Sequence, residues 1–259
     1  CDGMSEVLSR IAYRKAVALA LAEELERDIN VFLLGEDVGK PGGVFKATDG
    51  LFEQFGESRI FDTPIAEQAI IGCAIGAAAT GLRPVAEIMF ADFAGVCYDQ
   101  IANQLAKFRY QTGGQVAMPV TIRFANGGSI GFGAQHSQNV ENWFLNHAGL
   151  IICAPSTPAD LYGILKSAIR NDNPVLVFEH KALYESRGDI EVGKLVPIGV
   201  ASVVRTGADI TVVASQLMRN RCEEASEILA AEGIDVELID PRTILPMDTE
   251  TIFKSIKKT

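Results

Sequence analysis

The sequence lacks the features that mark several large classes of protein. Lys and Arg number 23 against 33 Asp and Glu, which gives a formal net charge of -10, and the basic residues form no stripe. Because affinity for nucleic acid is built on clustered Lys and Arg, no nucleic-acid partner is predicted. The longest apolar stretch, residues 69–82, is shorter than the roughly 20 residues that a membrane-spanning helix needs. No membrane partner is predicted either.

Cysteine is scarce, and its positions exclude a disulfide framework or a zinc site. The five cysteines are Cys1, Cys73, Cys97, Cys153 and Cys222. They form no CxxC pair and have no zinc-type spacing with the three histidines. Those at positions 73, 97 and 153 lie in apolar stretches and are predicted to be small core residues. A bacterial cytoplasm or an organelle matrix fits this usage better than secretion. The N-terminus shows no apolar region of a secretory signal, and Met4 is predicted to be the natural start.

Two phosphate-binding signatures are also missing. No G-x-G-x-x-G follows a predicted strand and no Walker loop is present, so neither a simple dinucleotide site nor a triphosphate site is expected.

One catalytic pentapeptide is present, because residues 127–131 match the G-x-S-x-G of serine hydrolases. That motif requires a helix directly after Ser129, and no helix is predicted before about Asn139. A serine hydrolase is therefore a minor alternative.

Strands and helices alternate along most of the chain. The predicted strands are 31–34, 59–61, 84–89, 119–124, 150–154, 174–178, 209–214 and 235–239. The predicted helices are 12–27, 67–80, 93–110, 158–170, 221–231 and 248–257. Short apolar strands separated by crossover helices are typical of an α/β fold with a mainly parallel sheet and helices on both faces.

The alternation is interrupted once, at residues 185–197, and this stretch is predicted to be a linker. A first domain is therefore placed at residues 1–190 and a second at residues 191–259. The second contains one βαβ unit and a final helix, which is few strands for an independent domain. It is predicted to be the beginning of a truncated domain.

Ligands of parallel sheets bind beyond the carboxyl ends of the strands. The loops in question follow Leu34, Phe61, Met89 and Phe124. Glu67 begins an apolar helix after the second of these strands. The helix dipole alone explains an acid there, but the same acid could hydrogen-bond a ligand. His136 ends the glycine-rich loop after the fourth strand. It is a candidate donor to an anionic substrate, although a lone loop histidine is more often simply solvated.

Several motifs occur together in a fixed order. LGEDVGKPGGVFKATDGL spans residues 34–51, DTPIAEQAIIGCAIGAA spans 62–78, RPVAEIMFADF spans 83–93 and DQIANQLAKFRYQTGG spans 99–114. GAQHSQ, PSTPADLYGILKSAIRNDNPV, EHKALY and IDPRTILPMD follow. In this order the sequence resembles the beta subunit of the decarboxylating component of 2-oxo acid dehydrogenase complexes, a transketolase-like family. The resemblance implies a pyrimidine-type thiamine-diphosphate-binding domain followed by a transketolase-like C-terminal domain.

The resemblance assigns roles to individual residues. Glu67 matches the glutamate that hydrogen-bonds the aminopyrimidine ring of thiamine diphosphate, and Phe93 matches a residue that packs on that ring. His136 matches the histidine implicated in reductive acylation of the lipoyl group. The remaining cofactor-site positions that the resemblance implies are Ile65 and Met89, which line the pocket, and Glu36, which belongs to an acidic tunnel between two active sites.

A missing motif implies that the site is shared between chains. Thiamine enzymes usually hold Mg²⁺ and the diphosphate with a GDG motif, which this sequence does not contain. An alpha subunit is therefore expected to bind both, in a heterotetramer that docks on a lipoyl-bearing acyltransferase core.

Some relatives also bind potassium, mostly through backbone carbonyls. The matching positions are Val120, Ala168, Ile169, Asn171 and Asn173. Capping of helix 158–170 by asparagine explains the last two about as well.

One stretch departs from the family pattern. Residues 215–220 read SQLMRN, where an aromatic-Gly pair and a following histidine are usual. With the short second domain, this leaves a non-catalytic assembly partner as an alternative. The FRYQTGG segment and the small residues around Gly95 resemble those of pyruvate- and acetoin-using members, and pyruvate is the predicted substrate. Acetoin and branched-chain 2-oxo acids stay as alternatives, since relatives with the same motifs use them.

Overall fold

The computed structural model describes residues 6–259, so Met4, the predicted start, lies outside the described residues. Its strands are β1 (Val7–Ala12), β2 (Val31–Gly35), β3 (Ile60–Asp62), β4 (Arg83–Ile88), β5 (Thr121–Asn126), β6 (Ile151–Cys153), β7 (Val175–His180), β8 (Arg187–Glu191), β9 (Ser202–Arg205), β10 (Ile210–Val213), β11 (Val236–Asp240) and β12 (Thr243–Leu245). The α-helices are α1 (Tyr13–Arg27), α2 (Leu51–Phe55), α3 (Glu67–Ala79), α4 (Ala106–Gln111), α5 (Pro158–Ile169), α6 (Gln216–Ala231) and α7 (Thr249–Ile256). Short 3₁₀ turns lie at Ala91–Gly95, Ala134–His136, Glu141–Phe144 and Lys181–Leu183.

The largest sheet has seven strands in the order β12-β6-β7-β5-β4-β2-β3. Its strands pair in parallel, except that β12 is antiparallel to β6. Strands β5 and β7 are buried along their whole length, as expected where helices cover both faces of a parallel sheet. The prediction of an α/β fold with a mainly parallel sheet is confirmed.

Successive side chains of the sheet enter two separate cores. On β7, Val175 and Val177 pack in the core that contains α1 and α5. Leu176 and Phe178 pack in the core that contains α3 and the helical segment 98–111. Strict alternation of this kind follows from the period of two in a strand, and it explains why the strands read as continuous apolar runs in the sequence.

A smaller sheet, in the order β10-β11-β9, follows in the second part of the chain. Strand β10 is parallel to β11, and β9 is antiparallel to it. The chain then returns to the large sheet, where β12 adds an edge strand beside β6. The domain boundary after residue 190 stays a prediction. No helix in the described part of the chain is both long enough and apolar enough to cross a bilayer.

The single helix predicted for residues 93–110 is wrong in its first part. A 3₁₀ turn, Ala91–Gly95, comes first, and a π-helical segment, Gln100–Leu105, precedes α4. A π turn is wider than an α turn. Ile101 and Leu105, within this segment, both lie in the core. An amphipathic pattern does not reveal such an insertion, because the apolar spacing changes by only one residue.

Four other expectations need correction. Residues 185–197 are not a plain linker, since β8 lies there and pairs with β1 in an antiparallel ribbon that was not predicted. Helix α3, predicted to be buried, leaves one face exposed. Cys73, predicted to be a core residue, lies on that exposed face, whereas Cys97 and Cys153 are buried as predicted. Helix α6 begins at Gln216, five residues before its predicted start.

A buried charge network crosses three neighbouring strands of the large sheet. Arg123 on β5 is 1% exposed and lies between Glu87 on β4 and Glu179 on β7. Its Nε and Nη2 donate to the two oxygens of Glu179 at 2.6 and 2.8 Å, and its Nη1 donates to Glu87. Tyr184 donates a further hydrogen bond to Glu179 at 2.9 Å. Burial raises the pKa of Glu87, and the charge of Arg123 opposes that shift.

Replacing Arg123 by Met should destabilise the fold by about 3–5 kcal/mol, because two buried carboxylates lose their counter-charge. Replacing Arg221, whose ion pair with Glu224 is exposed, should change the free energy of unfolding by no more than about 0.5 kcal/mol. Urea unfolding of R123M and R221M measures both values. Equal stabilities for the two variants would contradict a structural role for the network.

Candidate functional site

Six parallel strands of the large sheet end at one side, which we call the carboxyl edge. The segments that follow them carry Glu36 after β2, Glu67 after β3, Phe90 and Phe93 after β4, His136 in the loop after β5 and Lys181 after β7. Because the carboxyl ends of parallel strands meet at the same edge, ligands of such sheets bind there. The candidate site is built from these segments.

Two acidic residues, Glu36 and Glu67, are each 6% exposed at the carboxyl edge. Glu67 is the first residue of α3, where the helix dipole favours negative charge. Burial raises the pKa of Glu36, and the negative charges of Glu67, Asp37 and Glu87 raise it further. Oε1 of Glu36 has no hydrogen-bond partner among the described residues. Glu36 therefore holds a proton more readily than an exposed glutamate does.

Two phenylalanine rings hold the imidazole of His136. Its ring centroid lies 4.5 Å from that of Phe90 and 5.3 Å from that of Phe93, and both contacts are edge-to-face. The two phenylalanines also contact each other, at 6.1 Å. Such contacts fix the plane of the imidazole, which can then exchange a proton with a group placed at the edge of the ring.

The loop that carries His136 is closed at its neck by hydrogen bonds. The backbone N–H of Gly127 donates to the carbonyl of Gln138 at 3.0 Å. Asp92, from the 3₁₀ turn after β4, accepts from the backbone N–H of Gln138 at 3.3 Å and from its side-chain amide at 2.9 Å. His136 is thus held on a loop that is tied to the same turn as Phe93.

His180 lies against Gly127, where the loop begins. Its Nδ1 accepts from the backbone N–H of Ala182 at 3.2 Å, so the ring proton is carried on Nε2. Burial, together with the charge of Lys181, lowers the pKa of His180 to about 4, and the ring is neutral at physiological pH. Gly127 has φ +84° and faces this ring closely: a Cβ there would lie 2.3 Å from Nε2.

Of the predicted pocket positions, Ile65 stands between two residues that line a small cavity. Ile65, just before α3, is 83% exposed, and Met89 is half-buried. A cavity of about 160 Å³ is lined by Leu34, Thr63, Pro64, Ala66, Ala69, Ile70 and Cys73. The hydroxyl of Thr63 is buried there and has no hydrogen-bond partner in the described part of the chain.

The exposed face of α3 consists of small residues at helical spacing. They are Ala69, Gly72, Cys73, Gly76 and Ala79. A Cβ added at Gly72 or Gly76 would meet nothing within 4 Å. We call this stripe the small-residue face. Small side chains let a second backbone approach a helix closely, so this face leaves room for tight packing.

The five positions of the predicted potassium site surround the end of α5. They are Val120, Ala168, Ile169, Asn171 and Asn173. The guanidinium of Arg83 donates from Nε to the carbonyl of Ile169 at 2.9 Å and from Nη2 to that of Asn171 at 2.7 Å. Each carbonyl oxygen keeps a second lone pair, so a cation could still bind. The side chain of Asn171 accepts from the backbone N–H of Asn173 at 2.9 Å, a local turn contact outside the helix.

A cavity of about 360 Å³ separates the loop after β5 from the start of α6. Ser129 lines it with a φ of +76°. No helix follows Ser129 directly, and no hydrogen bond in the described residues joins it to a histidine, so the serine-hydrolase alternative is not supported. Gln216 has a φ of +54°. Its N–H donates to Ser156 Oγ at 2.6 Å and its Nε2 donates to the carbonyl of Phe178 at 2.7 Å.

Comparison with known proteins gives matches along almost the whole chain. A family described as transketolase, pyrimidine binding domain, matches residues 9–187, and transketolase, C-terminal domain, matches residues 199–259. The chain is 47% identical over 254 residues to the 2-oxoisovalerate dehydrogenase subunit beta of Bacillus subtilis (strain 168), covering 97% of this chain and 78% of that protein.

Other relatives carry different substrate names. The chain is 46% identical over 254 residues to the mitochondrial pyruvate dehydrogenase E1 component subunit beta of Dictyostelium discoideum, covering 96% and 71% of the two chains. It is 44% identical over 261 residues to an acetoin:2,6-dichlorophenolindophenol oxidoreductase subunit beta of Cupriavidus necator, covering 96% and 77%. A solved chain described as a split gene transketolase, inactive beta4 tetramer, is 27% identical with a TM-score of 0.75, covering 96% of this chain and 77% of that one.

Sequence reasoning missed several residues of this edge. Lys181 directly follows the apolar strand β7, and a charged residue in that position is a usable signal. Phe90 and Asp92 gave no signal of their own, because their contacts join segments that are distant in sequence. Thr63 is notable only because its hydroxyl lies buried beside a cavity.

Replacing Gly127 by Ala should destabilise the chain more than replacing Gly131 by Ala. Both glycines have positive φ, +84° and +80°, so both variants acquire the strain of a left-handed alanine, about 1 kcal/mol. Only position 127 adds a clash, with His180. Urea unfolding of G127A and G131A measures the difference. Identical losses of stability would show that the ring contact does not constrain the loop.

Proposed function

Because the chain belongs to the family of E1 beta subunits of 2-oxo acid dehydrogenases, which join a transketolase pyrimidine-binding domain to a transketolase C-terminal domain, we propose that it forms half of a thiamine-diphosphate site. With an alpha subunit it would catalyse the oxidative decarboxylation of a 2-oxo acid and pass the acyl group to a lipoyl group. The observation that carries this proposal is the position of Glu67, buried at the start of α3 on the carboxyl edge that it shares with Glu36 and His136.

The residues of this edge fit the aminopyrimidine half of the cofactor. Glu36 and Thr63 each have a buried oxygen without a partner in the described residues, which suits the polar rim of a bound ring. The half-buried ring of Phe93 and the exposed side chain of Ile65 offer apolar contacts for its faces. When bound, thiamine diphosphate supplies the nucleophilic carbon and the electron sink that decarboxylation requires.

The chain's own side chains would then do three things. Glu67 would hydrogen-bond a ring nitrogen and hold its proton, while the raised pKa of Glu36 lets that residue exchange a proton with it. Phe93 and Met89 would exclude water from the ring face. His136 would give a proton to the lipoyl sulfur that leaves. Diphosphate and Mg²⁺ are assigned to the alpha subunit, because this sequence lacks a GDG motif.

Replacing Glu67 by Gln should reduce decarboxylation by about two to four powers of ten when the alpha subunit, Mg²⁺ and thiamine diphosphate are present, because an amide cannot exchange the proton. The assay follows reduction of 2,6-dichlorophenolindophenol. E53Q, which changes an exposed glutamate of α2, is the matched control and should stay fully active. Full activity of E67Q would overturn the assignment.

The alpha subunit is proposed to cover the small-residue face of α3. The half-site argument requires a second chain at this edge, and Gly72 and Gly76 leave open space above the helix. The related solved chain is described as an inactive beta4 tetramer, which supports the proposal that this chain also needs an alpha partner for activity. A non-catalytic assembly partner is the alternative, favoured by the unusual residues 215–220.

Replacing Gly72 by Leu should abolish association with the alpha subunit, because a bulky side chain would block close approach of the partner. The lone chain should not lose stability, since Leu favours the helix by up to about 1 kcal/mol over Gly. A225L, on the exposed face of α6, is the control. Co-purification followed by gel filtration measures association. A complex formed by G72L as well as by A225L would place the partner elsewhere.

Pyruvate is proposed as the substrate. Curated relatives named for pyruvate, 2-oxoisovalerate and acetoin are 46%, 47% and 44% identical, so the last two compounds are the alternatives to assay.

The potassium site also stays a proposal, and a cation there would share two carbonyls with Arg83. The proposed compartment is a bacterial cytoplasm or an organelle matrix, and the lipoyl-bearing core is the proposed acceptor of the acyl group.

A further inference from the structure

Lys181 is a buried lysine without a carboxylate partner. Its exposure is 3%, and no salt bridge in the described residues involves it. Its Nζ has one acceptor, the carbonyl of Ala125, at 3.4 Å. The other buried lysine, Lys166, instead pairs with Glu23 and lies 3.0 Å from the hydroxyl of Tyr162. A buried ammonium with so few contacts is costly, so its retention calls for a functional explanation.

The ammonium lies beside the ring that holds the imidazole of the candidate site. Lys181 Nζ is 5.5 Å from the centroid of Phe90, a distance at which the cation and the ring attract each other. The same ring contacts His136 edge-on at 4.5 Å. The three groups form a row of contacts. It runs from Lys181 at the end of β7, through Phe90 in the turn after β4, to His136 in the loop after β5.

Asp92 acts on the same loop through a second set of contacts. Its Oδ1 accepts both hydrogen bonds from Gln138, while its Oδ2 is buried without a partner in the described part of the chain. It is too far from Lys181 for an ion pair, yet close enough for its charge to act on the ammonium. The two charges thus flank the loop of His136, one through Phe90 and one through Gln138.

We propose that Lys181 is a positioning residue for acyl transfer, and that its ammonium holds Phe90, and through it His136, in the orientation that the lipoyl group requires. This inference rests on the proposed function. In that transfer one lipoyl sulfur would bond to the acyl carbon as the S–S bond breaks, and the other sulfur would take a proton from the imidazole of His136 and become a thiol. The bond between the acyl carbon and the cofactor would then break with loss of the hydroxyl proton, so that the two-electron oxidation to a thioester is balanced by reduction of the disulfide.

The orientation should depend on pH, because burial lowers the pKa of Lys181 to about 8, with the charge of Asp92 opposing the shift. The other titratable groups near the ammonium are His136, across the Phe90 ring, and its neighbour His180, which is neutral. Below pH 8 the ammonium is charged and holds the ring. As the pH rises through 8 the charge is lost, so acyl transfer should fall while decarboxylation does not follow it.

The test compares two activities of the complete alpha–beta complex. Reduction of 2,6-dichlorophenolindophenol reports decarboxylation without the lipoyl group, and acylation of a free lipoyl domain reports the transfer. In K181M the transfer kcat should fall about tenfold to a hundredfold, the scale of a misplaced catalytic group, with a smaller effect on dye reduction. K181R should restore transfer and keep it above pH 8, because an arginine stays charged there. K166M, which removes the paired buried lysine, should leave the ratio of the two activities unchanged.

A spectroscopic readout separates orientation from activity. The three histidines, His136, His147 and His180, give separate imidazole signals in carbon–proton NMR of the chain, and H136Q assigns the first. K181M should shift the His136 signal and leave that of His147 unmoved. The inference would be overturned if K181M left the ratio of acyl transfer to dye reduction unchanged. It would also be overturned if the His136 signal did not move. Absence of dye reduction in the unsubstituted complex would instead overturn the proposed function and the inference with it.

Discussion

The buried guanidinium of Arg123 is the interaction on which the carboxyl edge depends. It joins Glu87 of β4 to Glu179 of β7 across β5, so it fixes three neighbouring strands close to the points where they end. The turn with Phe90 and Phe93, the loop with His136 and the turn with Lys181 all begin a few residues further on. A guanidinium with fixed, forked geometry suits this task better than a lysine, because it bonds both partners in one plane.

A second constraint is electrostatic. The edge holds Glu36, Glu67 and Glu87 in low-dielectric surroundings, with one guanidinium among them. Burial and neighbouring negative charges raise the pKa of Glu36 and Glu87, so both carboxyls bind a proton more readily than exposed ones. On the other side, the ammonium of Lys181 and the neutral ring of His180 show the opposite effect of burial on basic groups.

The sequence was sufficient to predict the parallel sheet, because buried parallel strands read as apolar runs such as those of β2, β5 and β7. It also brought attention to Glu67 and His136, since each follows such a run. It could not reveal the π turn at Gln100–Leu105 or the ribbon of β1 and β8, whose polar residues pair over a long sequence separation. Nor could it reveal that Lys181, Phe90 and His136 meet, because that contact depends on strand order. The burial of helix α3 was wrongly predicted for another reason: small apolar residues predict a buried helix, yet one face of α3 is exposed in this chain.

The small-residue face bears on the steady-state amount of unassembled chain in a cell. A helix face of alanine and glycine that is left in water stabilises nothing, whereas a partner that binds only the folded form adds stability in proportion to the logarithm of its concentration. Molecules made in excess over the partner would therefore unfold more often and be degraded faster than those in a complex. Subunit stoichiometry would then be set by turnover of the unassembled chain, without matched rates of synthesis.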